Sequence, residues 1–287
     1  MDYDPMTQVV VTIGASEALD AIWAAFLDRD DEIIIPSPFY GAYTKGLDYA
    51  DKKYALVPIL KEGGKVEYNR KDFEAALTPN TKLLLINSPN NPSGYVMTDE
   101  DLQMIADFAK EHDLIVISDD CYDNYIFEGE FKSIAALPGM KERTLIVNST
   151  SKTFSMTGWR IGYVIGNPTF IDAILKIHAQ TVVCPSIFAQ VGAVVAYDEE
   201  IPEVKEMFHA FLERKEYIAE FLKTIEGVSY VEPKGAFYIF MDIGSTGMTG
   251  FEFCQKLLEE KGVTLSPGNN FGLEWENYVR ISYACSL

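Results

Sequence analysis

Short apolar runs alternate with amphipathic segments along the first two thirds of the chain. The runs are rich in Ile, Leu and Val, and each ends where polar or turn-forming residues begin. Runs of this kind are typical of buried β-strands. The predicted strands are 8–13, 31–36, 54–60, 81–86, 113–118, 144–147 and 161–166, and predicted helices between them include 17–27, 70–77 and 98–111.

This alternation predicts an α/β domain with a largely parallel sheet and right-handed crossovers. In such sheets, ligands bind beyond the carboxyl ends of the strands. The polar clusters of the chain fall at these ends, and their agreement carries more weight than any one of them. The clusters are 14–16, 38–40, 87–91, 119–122 and 149–160.

Capping residues mark three of the predicted helix starts. Ser16 follows the first strand and is predicted to cap a helix with Glu17 in its first turn. The backbone N–H groups there could bind an anion, although many α/β proteins have such a turn without a ligand. Further along, Asn69 is predicted to cap a short helix, and Thr98 with Asp101 forms a capping-box pattern.

The pattern changes beyond residue 168. Three helices are predicted first, and short strands around a single helix follow them. The predicted helices are 169–179, 186–197, 201–225 and 251–260, and the predicted strands are 228–231, 236–242, 263–265 and 278–283. We therefore expect a large domain of residues 1–200 and a smaller α+β domain of residues 201–287.

Composition narrows the classes of partner. The 287 residues include 24 basic and 43 acidic side chains, a net charge of −19, which argues against nucleic acid or anionic membrane as a partner. The four cysteines have no CxxC spacing, as is typical of free thiols in a reducing compartment, and the three histidines are too scattered to predict a metal site. With no signal-peptide pattern and no apolar run of about 20 residues, we expect a soluble cytoplasmic protein.

The stretch from residue 148 to 160, NSTSKTFSMTGWR, has the most distinctive chemistry. Lys152 lies among hydroxyl residues directly after a buried strand, and Arg160 follows it. A reactive amine with phosphate-binding donors nearby suits pyridoxal phosphate (PLP), which proteins hold as a Schiff base to lysine. The alternative is a polar loop with a solvated lysine.

Other candidates also have two interpretations. Either Asp119 or Asp120 could pair with a protonated pyridine nitrogen, or they could cap a loop, and the pattern alone does not choose between them. Tyr40 could stack on a planar ring or pack against a helix start. Arg280 lies within a predicted strand, where it could bind a carboxylate or face solvent.

Together these motifs resemble the PLP-dependent aminotransferases of fold type I, in the class I/II family of aspartate, aromatic and kynurenine aminotransferases. The resemblance covers nearly the whole chain, in the family's order. The motifs that carry it are IGASEAL, SPNNPSG, SDDCY, NSTSKTFSMTGWRIGY and RISYA. It implies a three-layer fold with a mostly parallel seven-stranded sheet, in which residues 1–200 bind PLP.

The resemblance also implies how the cofactor is bound. Lys152 would form the internal aldimine with PLP, and Asp119 would pair with the pyridinium nitrogen. The phosphate ligands that it implies are Ala15, Ser16, Ser149 and Arg160.

The remaining site residues follow from the same resemblance. Tyr40 would lie against the cofactor ring, and Tyr122 would reach the 3-oxygen. Asn91 would contact the 3-oxygen and the substrate carboxylate, and Arg280 would grip the substrate α-carboxylate. The family usually has glutamate and a small or branched residue directly before that tyrosine, where this chain has Asp and Cys.

The predicted activity is transfer of an amino group from an L-amino acid to a 2-oxo acid, by a ping-pong mechanism through a Lys152–PLP aldimine, in a homodimer. A C–S β-lyase or an aminocyclopropane-carboxylate-synthase-like enzyme would use the same core residues. A non-catalytic module of this fold is less favoured, because the lysine-to-arginine set is present and no basic helix-turn-helix segment is. A nucleotide-binding protein would need a GxGxxG or Walker lysine motif, and the chain has neither.

Members of the family normally carry a longer N-terminal segment and a helix after the RISYA strand. Those parts close the small domain, cover the substrate and reach across the dimer. We therefore expect this chain, with an incomplete small domain, to bind PLP loosely and turn over slowly. The residues that choose the substrate side chain are not readable from it.

Overall fold

The computed structural model describes residues 2–198 and 200–286. The strands are β1 Val9–Thr12, β2 Glu32–Ser37, β3 Lys53–Pro58, β4 Leu60–Lys61, β5 Lys65–Val66, β6 Thr81–Asn87, β7 Ile115–Asp119, β8 Thr144–Ser149, β9 Gly162–Ile165, β10 Ser229–Tyr230, β11 Tyr238–Asp242, β12 Ser266–Pro267 and β13 Tyr278–Ser282. The α-helices are α1 Gly14–Phe26, α2 Ala42–Tyr49, α3 Arg70–Ala76, α4 Asp99–Glu111, α5 Thr150–Thr153, α6 Pro168–Thr181, α7 Ile187–Asp198, α8 Pro202–Leu222 and α9 Gly250–Lys261.

A seven-stranded sheet with the order β1-β9-β8-β7-β6-β2-β3 forms the centre of the fold. The neighbouring pairs from β8 to β3 are all parallel, and β9 is antiparallel to both of its neighbours. The prediction of a mostly parallel seven-stranded sheet is therefore confirmed. Because β6, β7 and β8 are adjacent and parallel, their carboxyl ends meet at one edge of the sheet.

Helices cover both faces of this sheet, which gives three layers. Side chains alternate along a strand, so Ile33 and Ile35 of β2 face one side and Ile34 faces the other. The first two belong to a core that includes residues of α1, α2 and α6, and the third to a core that includes residues of α3 and α4. All three isoleucines have no exposed surface. The alternation explains why the β2 run reads as continuously apolar.

A second, antiparallel sheet has the order β10-β11-β13-β12. Its inner face shares a core with α8 and with Tyr122 and Tyr125, which follow β7. The backbone N–H of Ala236 donates to the carbonyl of Tyr125 at 2.9 Å. The second sheet is therefore attached directly beside the carboxyl end of β7.

Several predicted helix starts are confirmed. The Asn69 side chain accepts from the N–H of Lys71 at 3.0 Å. Thr98 and Asp101 form the predicted capping box, with hydrogen bonds of 2.9 and 3.2 Å. No helix within residues 2–198 and 200–286 is both long and apolar enough to cross a membrane.

Two local predictions are wrong. Ser16 does not cap α1, because the helix begins two residues earlier, at Gly14, and the Glu17 carboxylate accepts instead from the N–H of Ile13 at 3.0 Å. The strand predicted at 263–265 does not form. Gly262 ends α9 in a left-handed conformation, and the next three residues lead to the sheet edge, where β12 pairs with β13.

Candidate active site

The last residues of β6, β7 and β8 line one cavity of about 340 Å³, a volume typical of small-molecule sites. The cavity lies where the two sheets meet, so side chains of both contribute to it. All ten residues singled out from the sequence line it, and they are Ala15, Ser16, Tyr40, Asn91, Asp119, Tyr122, Ser149, Lys152, Arg160 and Arg280.

Asp119 is a buried carboxylate at the cavity wall. The Tyr43 hydroxyl donates to its Oδ2 at 2.5 Å, and the N–H of Cys121 donates to its Oδ1 at 3.2 Å. Burial raises the pKa of Asp119, and these hydrogen bonds together with the charge of Lys152 oppose the rise. A ligand with a cationic nitrogen at this wall would compensate the buried negative charge.

The neighbouring acid, Asp120, does not line the cavity. Its carboxylate accepts from the Ser118 hydroxyl at 2.6 Å, and burial raises its pKa well above the usual range. Successive side chains at a strand end point to opposite sides, so only one of two adjacent acids can face the ligand. The geometry assigns that position to Asp119.

Lys152 lies in the short helix α5 and is largely buried. Its Nζ lies 5.9 Å from the ring centroids of both Tyr122 and Phe237. Burial lowers the pKa of Lys152, and the positive charges of Arg280 and Arg160 add to this, while Cys121 and Asp119 oppose it. A lowered pKa increases the fraction of neutral amine, which is the nucleophilic form.

One end of the cavity is suited to an anion. The first turn of α1 presents backbone N–H groups there, close to the Arg160 guanidinium. Gly14 has a φ of +73°, and a Cβ atom at this position would lie 2.3 Å from Nη2 of Arg160. The Arg160 side chain is held by the carbonyls of Thr157 and Ile13, at 2.9 and 3.4 Å. Glycine is therefore required for the arginine to lie against the helix start.

The opposite end is formed by Arg280 of β13. Its Nη1 donates to Oδ1 of Asn91 at 2.9 Å, and its Nη2 donates to the Ser266 hydroxyl at 3.3 Å. Its Nε is buried and has no hydrogen-bond partner among the residues that the structure describes. Arg280 lines the cavity rather than facing solvent, so the solvent-facing interpretation is wrong, and its guanidinium would suit a carboxylate.

Tyr40 and Asn91 complete the walls. Tyr40 is 40% exposed and lies edge-to-face with Tyr43, at 5.6 Å between centroids, so part of its ring is free for a ligand. The backbone N–H of Asn91 donates to the Asn87 side chain at 2.8 Å, and its own amide reaches the Tyr122 hydroxyl at 3.5 Å. These bonds fix the asparagine toward the cavity.

Two functional candidates were not found from the sequence. Tyr43 lies just inside α2, three residues after Tyr40, and its backbone N–H donates to the carbonyl of Tyr40 at 3.0 Å, so the closeness of the two tyrosines in sequence is a usable signal. Tyr238 is buried in β11, where its hydroxyl lies 3.0 Å from that of Tyr122. Only the pairing of β11 with β13, which sets Phe240 opposite Arg280, brings Tyr238 to the cavity.

The set of donors fits PLP. The buried carboxylate matches the pyridine nitrogen of that cofactor, and the aromatic face matches its ring. The lysine with a lowered pKa matches the aldehyde, and the anion site at the helix start matches the phosphate. Arg280 at the cavity wall remains for a substrate carboxylate.

Comparison with known proteins identifies the family of the chain. The family model described as "Aminotransferase class I and II" matches residues 1–287. The chain is 41% identical to an aspartate aminotransferase of Pyrococcus abyssi and 39% identical to aromatic-amino-acid aminotransferase 2 of Thermococcus litoralis, in each case over 99% of this chain and 73% of the relative. The crystal structure of an aromatic aminotransferase from Pyrococcus horikoshii superposes with a TM-score of 0.94 and 40% identity, over 100% of this chain and 77% of that one.

Proposed function

This chain belongs to the class I and II aminotransferases, and we propose that the cavity is the site where it binds PLP, an amino acid and a 2-oxo acid. Family membership carries the reaction type, transamination, and the use of PLP. The observation that supports the location best is that all ten candidate residues, separated by up to 265 positions in sequence, line one cavity.

Four elements would hold the cofactor. Asp119 would pair with the ring nitrogen, and Tyr40 would lie against the ring. The phosphate would be bound by the start of α1, through Ala15 and Ser16, by Ser149 at the end of β8, and by Arg160.

The bound cofactor supplies an aldehyde that binds amines and an electron-withdrawing ring. Lys152 provides the amine that holds the cofactor. Lys152 is also placed to move the proton at the substrate Cα, because burial lowers its pKa and so increases the fraction of neutral amine that can act as a base. Asp119, as a carboxylate, keeps a proton on the ring nitrogen.

Arg280 and Asn91 orient the substrate. The guanidinium binds the α-carboxylate, and the hydrogen bond between the two residues fixes the angle of approach. Tyr122 and Asn91 would also contact the 3-oxygen of a bound cofactor, so Asn91 would help to orient both the substrate and the cofactor.

We further propose that the chain acts as a homodimer. Helix α7 is unusually apolar and exposes Ile187, Phe188, Val191 and Val194, each at 58% or more. Half-exposed Trp159 continues this surface to the anion end of the cavity. Exposed apolar surfaces of this kind mark sites of protein association. A second copy of this chain is the partner that we propose, because the surface adjoins the cavity. Sedimentation equilibrium tests this: Phe188→Glu should dissociate the dimer, and a monomeric wild type would contradict it.

Two coarser features complete the proposal. We place a boundary between two domains near residue 200, because β10–β13 form a separate sheet, and limited proteolysis between α7 and α8 tests it.

We propose a cytoplasmic location, since the four cysteines are unpaired, as is usual in reducing compartments. Cell fractionation tests that location.

Steady-state kinetics with product analysis test the proposed function. L-Aspartate and L-phenylalanine are the first donors to use, with 2-oxoglutarate as acceptor, because similar proteins are named for aspartate and aromatic amino acids. We expect a keto acid and glutamate in equal amounts and parallel double-reciprocal plots. β-Elimination would instead convert a cysteine conjugate into pyruvate, ammonia and a thiol without forming glutamate. That product pattern would contradict the proposal.

A further inference from the structure

Tyr238 is the one described side chain that touches both Tyr122 and the face of Arg280. It begins β11, is only 5% exposed, and places its hydroxyl oxygen 3.0 Å from that of Tyr122. The centroid of its ring lies 4.3 Å from the guanidinium carbon of Arg280. It therefore connects the cofactor side of the cavity with the substrate side.

The Arg280 guanidinium contacts a second aromatic ring as well. Its central carbon lies 4.8 Å from the ring centroid of Phe271. Two aromatic faces attract a cation and restrict the plane in which it lies. The hydrogen bonds to Asn91 and Ser266 then fix its remaining rotation at the cavity wall.

The hydroxyl of Tyr238 contacts Tyr122, on the cofactor side of the cavity. Burial raises the pKa of Tyr238, but its hydrogen bond with Tyr122 and the charge of Arg280 oppose that rise, while burial raises the pKa of Tyr122 well above its usual value. Either hydroxyl can donate in this pair, and the Asn91 amide, 3.5 Å from the Tyr122 oxygen, favours Tyr122 as the acceptor. A Tyr122 oxygen that accepts from Tyr238 and from the Asn91 amide keeps its own proton free to donate into the cavity.

We propose that Tyr238 is a positioning residue for both halves of the site: its ring holds Arg280 ready for the substrate carboxylate, and its hydroxyl directs the proton of Tyr122 toward the cofactor's 3-oxygen. This proposal rests on the proposed function. It predicts that the two contributions can be separated by substitution, because one needs only the ring and the other needs the oxygen.

Tyr238→Phe keeps the ring and removes the oxygen. We expect kcat to fall about threefold to tenfold, the effect of one neutral hydrogen bond, while KM for L-aspartate or L-phenylalanine stays within about twofold. In the Tyr122→Phe background the same substitution should have no further effect on kcat, since its partner is already gone. Both single variants should shift the absorption maximum of the bound cofactor.

Phe271→Leu tests the ring half independently. Loss of one aromatic face should raise KM about threefold to tenfold and change kcat and the absorption maximum much less. Tyr238→Leu should combine both defects. Tyr49→Phe, at a tyrosine that is 95% exposed, is the matched control, and thermal melting of each variant monitors folding.

The outcomes separate the two levels of the proposal. A wild type that neither binds PLP nor transaminates would overturn the proposed function. A functional wild type with an unaltered kcat and spectrum in Tyr238→Phe, or with effects that multiply in the double variant, would overturn the role of the hydroxyl. If Tyr238→Phe fails to fold, Phe271→Leu still decides the ring half, and an unchanged KM there would overturn it.

Discussion

Replacing Tyr43 by Phe removes one hydroxyl group from a buried carboxylate and leaves the aromatic ring in place. Tyr43 is 1% exposed and belongs to the core between α1, α2 and the sheet, so the ring should keep its packing. Its hydroxyl donates to Oδ2 of Asp119 at 2.5 Å. The substitution therefore tests how much PLP binding depends on the hydrogen bond that Tyr43 donates to Asp119.

The magnitude follows from the type of hydrogen bond. A hydrogen bond to a charged group contributes about 1.5–3 kcal/mol, and 1.4 kcal/mol corresponds to a factor of ten in a dissociation constant. The N–H of Cys121 still donates to the other oxygen of Asp119, at 3.2 Å. We therefore expect the lower end of the range, a loss of PLP affinity of about tenfold.

The pH dependence of PLP affinity provides a second, independent test of the same hydrogen bond. The hydrogen bond from Tyr43 lowers the pKa of Asp119, against the effect of burial, so its removal raises that pKa further. A cationic ring nitrogen is held only by the carboxylate form. PLP affinity should be present above the pKa of Asp119 and be lost as the pH falls through it, and in Tyr43→Phe this loss should begin at a higher pH.

Absorption titration of the apoprotein with PLP, repeated across pH, measures both effects. Tyr68→Phe is the matched control, because Tyr68 is also buried but packs against Phe73 on the opposite face of the sheet. The control should bind PLP as the wild type does. Equal dissociation constants and pH profiles for Tyr43→Phe and wild type would refute the reasoning.

Three further predictions concern the anion end, the substrate end and the fold. Gly14→Ala should lower PLP affinity and should reduce the free energy of unfolding by about 1–2 kcal/mol or more, because the left-handed backbone is strained with a Cβ and because the Cβ clashes with Arg160. Gly129 is also left-handed but lies in open space, so in denaturant unfolding Gly129→Ala should lose only the stability that corresponds to the backbone strain. Arg280→Lys should raise KM for the amino donor by about a hundredfold with little change in PLP affinity, because lysine lacks the bidentate fork; an unchanged KM would argue against carboxylate binding there. Thr98→Ala should cost about 1 kcal/mol of stability in urea unfolding and leave PLP affinity unaltered.

Much of the fold was predictable because its signals are local. The buried strands of the parallel sheet are apolar on both faces, and their polar ends mark one edge, so five separate clusters pointed to one site before any contact was known. The cap of α4 was equally readable, since Thr98 and Asp101 interact within one turn. What the resemblance added was the choice of Asp119 over Asp120.

The first failure has a local cause, and the other two have causes that are not local. Ser16 is a good capping residue, but the Glu17 carboxylate reaches back to Ile13 and moves the start of α1. Tyr43 finds its partner 76 residues away, across the edge of the sheet. Tyr238 reaches the cavity only because the second sheet packs beside β7. Contacts of this kind depend on strand order and register, which periodicity along one strand does not specify.

The most direct test of the central claim is to locate the lysine that carries the cofactor. The protein is incubated with PLP, reduced with borohydride and digested, and the modified peptide is identified by mass spectrometry, with Lys152→Ala treated in parallel. At saturating PLP we predict a pyridoxyl group on Lys152 and none on the variant. Modification of another lysine, or equal labelling of the Lys152→Ala protein, would contradict the account.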